Sequence, residues 1–350
     1  MNKKDHISKT FSGLKWSGFS QFSIQIINLI LNIILARLLS PYEFGIIAMI
    51  TVFVSFMDLF KDFGFGSVLI SQKNVDDLDY STVFWANLMT GIILAFLLYS
   101  SRFLVSSFYN EPILEKLIIV ISLIFVIQAF NFVHVVKLKK KLDYRKLSIV
   151  GILSTVFSGS IGIIFALTGY GVWSLIFKTL TFAVIYLILI WTIHSWRPSF
   201  KFSIVKFKIY LRSGLALIGT KMVNYFSKNT DNALIGKYVG ASALGIYNRA
   251  FSLMSYPVHQ ITGVLSSVLF PSLSIIQNDI KRVKEVFLKA TQITSFIIFL
   301  ILGLLFINAR EFVLLLLGER WGELIPILKI LIFPAALQSF CLLTENVFRS

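Results

Sequence analysis

Charged residues are scarce in this sequence. They make up 14% of its 350 residues, whereas 56% of the residues are hydrophobic and 34 are phenylalanine. Soluble domains contain about 25% charged residues, so the composition excludes an ordinary soluble protein. Several apolar runs are long enough to cross a bilayer core of about 30 Å. The chain is therefore predicted to be an all-α polytopic membrane protein.

Cysteine and histidine are also rare. The one cysteine, Cys341, lies in an apolar run, which excludes a disulfide framework and a thiolate metal site. The four histidines are scattered without any spacing typical of metal ligands: His6, His134, His194 and His259. We therefore expect neither a metal nor a cofactor.

Acidic residues are fewer than basic ones, 17 against 33, which leaves a net charge of +16. Most lysines and arginines lie in alternate connections between the apolar runs, namely the N-terminal segment, 71–82, 137–146, 195–212 and 277–289. The positive-inside rule places these connections and the N-terminus in the cytoplasm, where they meet anionic membrane lipids. No basic patch is interleaved with exposed aromatic residues, so a nucleic-acid partner is not expected.

The hydropathy pattern predicts about ten membrane spans of helical length. They are placed near residues 14–38, 43–70, 83–108, 113–136, 147–168, 171–194, 212–238, 244–275, 288–308 and 323–347. Residues 1–200 form a predicted N-terminal lobe with spans one to six, and residues 201–350 a C-terminal lobe with spans seven to ten. The phenylalanines are expected mainly in the core and against lipid.

The chain contains an internal repeat. Ala36–Ile46 matches Gly236–Ile246 at an offset of 200, and Ile127–Phe130 matches Leu337–Phe340 at an offset of 210. The repeating unit is therefore predicted to have six spans, and because six is even, the two copies are parallel. By this count the second copy lacks two spans after Ser350, so we expect the chain to be C-terminally incomplete.

Polar side chains follow one face of the seventh predicted span. Lys221, Asn224, Lys228 and Asp231 recur at spacings of three and four, and Asn232 lies beside them. A matching stripe of neutral amides follows the first span: Gln21, Gln25, Asn28 and Asn32. Such stripes cannot face lipid and must face protein or a water-filled path. Two polar-faced helices, one of them cationic, indicate a transport pathway.

Four segments carry a resemblance to a known family: Ala36–Gly45, Asp62–Gly66, Asn229–Lys237 and Ala243–Ala250. In them the sequence resembles the polysaccharide flippases of the multidrug/oligosaccharidyl-lipid/polysaccharide exporter superfamily, in particular the lipopolysaccharide, colanic-acid and teichuronic-acid exporters. The resemblance implies two six-helix lobes around a central cavity in the bacterial cytoplasmic membrane. It also implies movement of a polyprenyl-pyrophosphate-linked oligosaccharide for O-antigen, capsule, exopolysaccharide or teichuronic acid, beside a polymerase and a chain-length regulator.

Cations inside a low-dielectric cavity attract a pyrophosphate, and amides suit sugar hydroxyls. Lys221 and Lys228 are the first candidates for the pyrophosphate, followed by Arg249 and Lys178 and then by Lys329. A second set of residues marks the outer ends of equivalent spans, as anchors or an outer gate: Arg37, Pro41, Gly45, Lys237 and Gly245.

Structural alternatives stay open at each candidate. Lys228 and Asp231 are three residues apart and are also compatible with a neutralising helical pair. Lys178 and Lys329 are compatible with snorkelling towards the membrane surface. The amides of the first span are compatible with hydrogen bonds between helices. The segment 58–62, with two aspartates and Lys61, favours a local pair at the membrane interface.

Two other function classes have their own sequence requirements. A cation-coupled multidrug antiporter requires carboxylates in its cavity, and Asp231 is the one predicted to lie well inside a span, where it is a candidate H+ or Na+ site. A membrane polymerase or ligase requires a positioned acid and base, which the short outer connections do not offer. The excess of buried cations favours an anionic substrate and a transporter.

Overall fold

The computed structural model describes residues 3–215, 218–275 and 279–349, and over these ranges the chain is helical without a strand. The helices are α1 (Lys3–Leu38), α2 (Pro41–Asp58), α3 (Phe65–Ser71), α4 (Asp77–Ser100), α5 (Arg102–Tyr109), α6 (Ile113–Lys140), α7 (Tyr144–Leu167), α8 (Val172–Ile193), α9 (Ile204–Leu215), α10 (Ile218–Tyr238), α11 (Ala241–Ile275), α12 (Ile280–Ile307), α13 (Ala309–Leu316) and α14 (Leu324–Arg349). Ser350 and part of the basic 277–289 connection lie outside the described residues.

Seven helices in the described ranges are long and apolar enough to cross a membrane: α1, α2, α4, α6, α7, α8 and α12. The prediction of an all-α, multi-pass membrane protein is therefore confirmed. The three other predicted spans correspond to α10, α11 and α14, and the number of ten stays a prediction. In α14, the segment Leu324–Gln338 is apolar.

Two predicted spans are each divided into two helices. The predicted span 43–70 ends as a helix at Asp58, and α3 begins only at Phe65. Between them, Phe63 (φ 43°) and Gly64 (φ 73°) adopt left-handed backbone, which a right-handed helix cannot continue. The predicted span 83–108 consists of α4 and α5, which are separated at Ser101.

The structure contains two compact units, residues 1–241 and 242–350. The first contains α1 to α10, and the second contains α12 to α14 with nearly all of α11. The predicted lobe boundary near residue 200 is not tested by this division and stays a prediction.

Within the first unit, α1 packs against α7, where glycines allow close approach. A Cβ at Gly151 would lie 3.1 Å from the Ile24 side chain, and a Cβ at Gly159 would overlap the Leu31 side chain. The Ser148 hydroxyl adds a 3.1 Å hydrogen bond to the Trp16 carbonyl. These contacts fix the face of α1 that packs against α7.

The two corners that contain the repeated motif have the same helix boundaries. The first corner joins the end of α1 at Leu38 to the start of α2 at Pro41. The second joins the end of α10 at Tyr238 to the start of α11 at Ala241, again at an offset of 200 residues. Proline at the first helical position suits this corner because its missing N–H would have no partner there.

Candidate substrate site on α2 and α10

The polar stripe of α10 has two edges that differ in exposure. Lys221, Tyr225 and Asn232 are partly buried, whereas Asn224 and Lys228 are exposed. The spacings of four and eleven place the first three on one line of the helix, and a spacing of four places the other two on a neighbouring line. One edge therefore packs against protein, and the other presents an amide and an ammonium group.

The buried edge packs against α2. The Tyr225 hydroxyl donates a 2.8 Å hydrogen bond to the Val52 carbonyl. The ring of Phe56 lies 5.4 Å from the ring of Tyr225 and 6.5 Å from that of Phe226, measured between centroids. These contacts fix the register of α10 on α2.

An ion pair connects the N-terminal end of this stripe to the turn between α2 and α3. The Lys221 Nζ lies 3.4 Å from Asp62 Oδ1, with side chains 39% and 31% exposed. Asp62 also accepts a hydrogen bond from the Gly64 N–H at 3.2 Å. The expected local pair in the segment 58–62 forms between Lys61 and Asp58 at 3.7 Å, while Asp62 pairs with α10 instead.

Farther along α10, Lys228 lies about 10 Å beyond Lys221 on the helix axis. The Asp231 carboxylate accepts a 2.8 Å hydrogen bond from the Asn232 N–H. The side-chain Oδ1 of Asn232 is buried and has no hydrogen-bond partner in the described part of the chain. A buried polar atom without a partner is costly, so this amide is a candidate for contact with a ligand hydroxyl.

The amides predicted on α1 lie on another helix pair. Gln21 is exposed, and Gln25, Asn28 and Asn32 are partly buried. These four amides lie next to the face of α1 that packs against α7. The stripe of α10, in contrast, lies on a helix that packs against α2. The structure thus places the two predicted polar stripes on separate helix pairs of the first unit.

The three other predicted cations lie on other helices. Lys178 is partly buried between α7 and α8, with its stem against Gly162, where an added Cβ would lie 2.9 Å from the Lys178 Cβ. Arg249 lies on α11 in the second unit, which also contains Gly245. Lys329, on α14, has its Nζ 5.4 Å from the centre of the Phe306 ring, a cation–π contact.

The outer-end motif makes two contacts within the first unit. An added Cβ at Gly45 would overlap the carbonyl oxygen of Ala241, so only glycine permits this approach of α2. The Lys237 Nζ lies 5.1 Å from the centre of the Phe108 ring on α5. Arg37 is exposed in the last turn of α1, and Pro41 begins α2.

A cavity of about 250 Å³, with a mainly apolar lining that includes several polar side chains, lies between α6, α8 and the α2–α3 turn, where no site was expected from the sequence. Gln128, Asn131, Tyr186 and Lys61 line it. The Gln128 Oε1 and the Asn131 Oδ1 are buried without a hydrogen-bond partner in the ranges the structure describes. In the sequence, this cavity is indicated by two amide side chains three residues apart in an otherwise apolar span.

A second missed feature holds α9 against the start of α4. The Lys206 Nζ lies 2.7 Å from Asp76 Oδ1 and 3.0 Å from Asp79 Oδ1. The hydrogen bonds from Lys206 and from the Asp79 N–H lower the pKa of Asp76 from 3.8 to about 2. Desolvation lowers the pKa of Lys206, but its hydrogen bonds to both carboxylates outweigh this and raise it.

The sequence is similar to known proteins along most of its length. A family model described as "Polysaccharide biosynthesis protein" matches residues 34–326. The teichuronic acid biosynthesis protein TuaB of Bacillus subtilis (strain 168) is 30% identical over 323 residues, which are 91% of this chain and 67% of TuaB. The lipopolysaccharide biosynthesis protein WzxC of Escherichia coli (strain K12) is 28% identical over 340 residues, which are 95% of this chain and 68% of WzxC.

Among solved structures, the lipid II flippase MurJ in an inward closed conformation superposes with a TM-score of 0.73 at 17% identity. The match covers 95% of this chain and 74% of MurJ. At this identity the likeness shows a shared fold. The chain spans about two thirds of the length of the two curated relatives.

Proposed function

The chain belongs to the polysaccharide biosynthesis protein family, and we propose that it is a flippase for lipid-linked oligosaccharides. It moves a polyprenyl-pyrophosphate-linked oligosaccharide across the bacterial cytoplasmic membrane by alternating access. The glycan serves a cell-surface polysaccharide such as O-antigen, capsule, exopolysaccharide or teichuronic acid. The protein is a transporter and not an enzyme, in keeping with the flippase fold it shares with MurJ.

The observation that carries the substrate assignment is the exposed, cationic edge of α10. Asn224 and Lys228 are exposed on α10, which the topology predicted from the sequence takes through the membrane. A cation at that depth requires a water-filled path or an anionic partner. Pyrophosphate meets this requirement because its oxygens accept charge-assisted hydrogen bonds from ammonium groups.

The Lys221 ammonium can exchange its contact with Asp62 for a contact with the substrate. Both side chains are partly exposed, and pairs of this kind contribute about 0–1 kcal/mol. A pyrophosphate carries more charge than one carboxylate and therefore competes with Asp62 for the Lys221 ammonium. It then passes to Lys228, about 10 Å farther along α10. The α1 amides contact the sugars.

Energy coupling is assigned to Asp231, the carboxylate of the α10 stripe. A carboxylate within a membrane span is the usual site for a proton or Na+. The alternative function, a cation-coupled multidrug antiporter, rests on the same residue. The lysines beside it on α10 favour an anionic cargo over a cationic drug.

The protein lies in the cytoplasmic membrane with its N-terminus in the cytoplasm, as the distribution of lysine and arginine in the connections favours. A polysaccharide polymerase and a chain-length regulator are its proposed partners in the same membrane, because the exported unit is their substrate.

Leaflet-resolved labelling of the lipid-linked glycan in cells that lack the protein tests this function. We expect the glycan to accumulate facing the cytoplasm and to reach the outer leaflet again when the wild-type gene is restored. Lys228→Gln should not restore it, whereas Lys139→Gln, at an exposed lysine of α6, should. Normal arrival of the glycan in the outer leaflet without the protein would refute the function.

A further inference from the structure

A large apolar groove lies between α4 and the segment that contains α9, and it extends to Phe63 in the turn between α2 and α3. Its volume is about 1000 Å³. Trp85, Met89 and Ile93 line it from α4, and Phe202, Phe207 and Leu211 line it from the other side. Met89 and Ile93 are exposed, 66% and 48%, so the groove is open along α4. Because α4 crosses the membrane, this opening faces hydrocarbon.

Both walls of the groove are held by specific contacts. The Trp85 indole stacks on Phe200 at 5.5 Å, and its Nε1–H donates a 2.8 Å hydrogen bond to the Ser199 carbonyl. The Ser199 N–H donates to the Ser81 hydroxyl at 3.0 Å. On α9, the Lys206 contacts with the start of α4 hold the opposite wall. These contacts hold both walls of the groove in place in the folded protein.

Positive charge flanks the groove on α9. Phe207 and Leu211 are four residues apart and line the groove, and Lys208 and Arg212, each one residue later, lie about 100° farther round the helix. Both cations are exposed. The occupant that matches an apolar groove with a cationic edge is a long hydrocarbon chain with an anionic head.

A series of aromatic rings connects this groove with the α2–α10 site. Successive centroids lie 5.4–6.5 Å apart along Phe207, Phe65, Phe63, Phe60, Phe56 and Tyr225. Phe63 both lines the groove and directly follows Asp62, the partner of Lys221. A lipid in the groove is therefore placed beside the α10 site, as a cargo whose head enters that site requires.

We propose that the groove between α4 and α9 binds the polyprenyl tail of the lipid-linked oligosaccharide on the cytoplasmic side. This inference rests on the proposed flippase function. Lys208 and Arg212 receive the pyrophosphate first, and the tail lies against Trp85, Met89 and Ile93. The head then passes to Lys221, whose partner Asp62 directly precedes the groove residue Phe63, while the tail stays in contact with hydrocarbon.

A photoreactive polyprenyl pyrophosphate, with a diazirine near the end of its tail, tests the groove. The protein is placed in vesicles of phosphatidylethanolamine and phosphatidylglycerol, illuminated and mapped by mass spectrometry. We expect labels within residues 85–93 and 200–211. Met89→Trp and Ile93→Trp fill the groove and should lower labelling about tenfold, the effect of losing roughly two buried methylene groups.

Phe96→Trp is the matched control, because Phe96 is an exposed apolar residue of α4 that does not line the groove. It should leave the labelling unchanged, and excess unlabelled polyprenyl phosphate should compete while extra phosphatidylglycerol should not. Competition by phosphatidylglycerol, or labelling that neither groove variant lowers, would overturn the proposal in favour of an ordinary lipid site.

Transport of the same probe across the vesicle membrane separates this inference from the function on which it rests. Transport by the wild-type protein without labels in the groove refutes the groove and leaves the flippase function standing. Groove labels that Met89→Trp removes, without transport by the wild-type protein, refute the flippase function and leave the tail site standing.

Discussion

The Lys221 ammonium lies 3.4 Å from the Asp62 carboxylate, so α10 is tied to the turn that follows α2. The two residues are 159 positions apart in the chain. The contact neutralises a candidate substrate ligand before any substrate arrives. A partly exposed pair of this strength opens readily when a stronger anion competes.

Removing Asp62 should therefore strengthen pyrophosphate binding. In Asp62→Asn the Lys221 ammonium loses its competing carboxylate, and we expect polyprenyl pyrophosphate to bind several-fold tighter, an effect of about 1 kcal/mol. Lys221→Gln should weaken binding. Asp58→Asn, which removes the partner of Lys61 on the same turn, is the control. Weaker binding in Asp62→Asn would show that the Lys221–Asp62 ion pair maintains the structure of the site and does not compete with the substrate.

The positive charge of Lys228 should be required for export of the substrate. Lys228→Gln removes a charge-assisted hydrogen bond worth about 1.5–3 kcal/mol, so we expect at least about tenfold slower export at equal protein level. Lys228→Arg should retain more activity because it keeps the charge and its donors. If Lys228 instead only neutralises Asp231 as a helical pair, the double variant Lys228→Ala, Asp231→Ala should export the substrate normally. That result would exclude Lys228 as a ligand.

Gly45→Ala should destabilise the protein. The new methyl group would overlap the Ala241 carbonyl, and overpacking of this kind costs about 1–3 kcal/mol. Gly18→Ala is the matched control, because a Cβ at Gly18 meets nothing within 4 Å and alanine favours the helix. Thermal unfolding in detergent measures both. Equal melting temperatures for the two variants would contradict the close approach of α2 to Ala241.

The contact of Lys206 with Asp76 should make stability depend on pH. Because Lys206 lowers the pKa of Asp76 to about 2, the carboxylate stabilises the folded state above its ordinary pKa of 3.8 and loses this effect as the pH falls towards 2. Lys206→Met should lower the melting temperature near neutral pH and approach the wild type in acid. The effect should not exceed about 1 kcal/mol, because Asp76 is largely exposed. Lys208→Met should show no such pH dependence.

The topology can be measured with single cysteines in a Cys341→Ala background. Lys201 precedes α9 and Thr168 ends α7, and both are exposed. In intact cells an impermeant thiol reagent should label Thr168→Cys and spare Lys201→Cys until the membrane is opened. The reverse pattern would invert the orientation that the basic connections predict.

The sequence was a good guide where structure is encoded locally. The corner before Pro41 and its counterpart before Ala241 follow from a repeated motif with turn residues at fixed positions. The polar stripe of α10 follows from spacings of three and four. The resemblance to polysaccharide exporters is confirmed by the family match over residues 34–326.

Contacts between distant segments were not encoded in any pattern. Nothing in the sequence pairs Asp62 with Lys221, and a residue such as Phe63 gives no sign of left-handed backbone beyond the glycine that follows it. The phenylalanines were expected in the core and against lipid, but Phe200 and Phe207 help to form a groove because Trp85 and Lys206 hold the surrounding segments. The amides of the α6–α8 cavity were hidden in an otherwise apolar span.

The polarity of α10 also bears on how the protein is made. A helix with lysine at positions 221, 228 and 237 and aspartate at 231 partitions poorly into lipid when it leaves the translocon alone. On the proposed topology, α2 is already in the bilayer when α10 is synthesised, and it offers the Val52 carbonyl to Tyr225 and Asp62 to Lys221. On that topology the N-terminal helices act as an intramolecular insertion partner, and we expect insertion of α10 to depend on their being synthesised first.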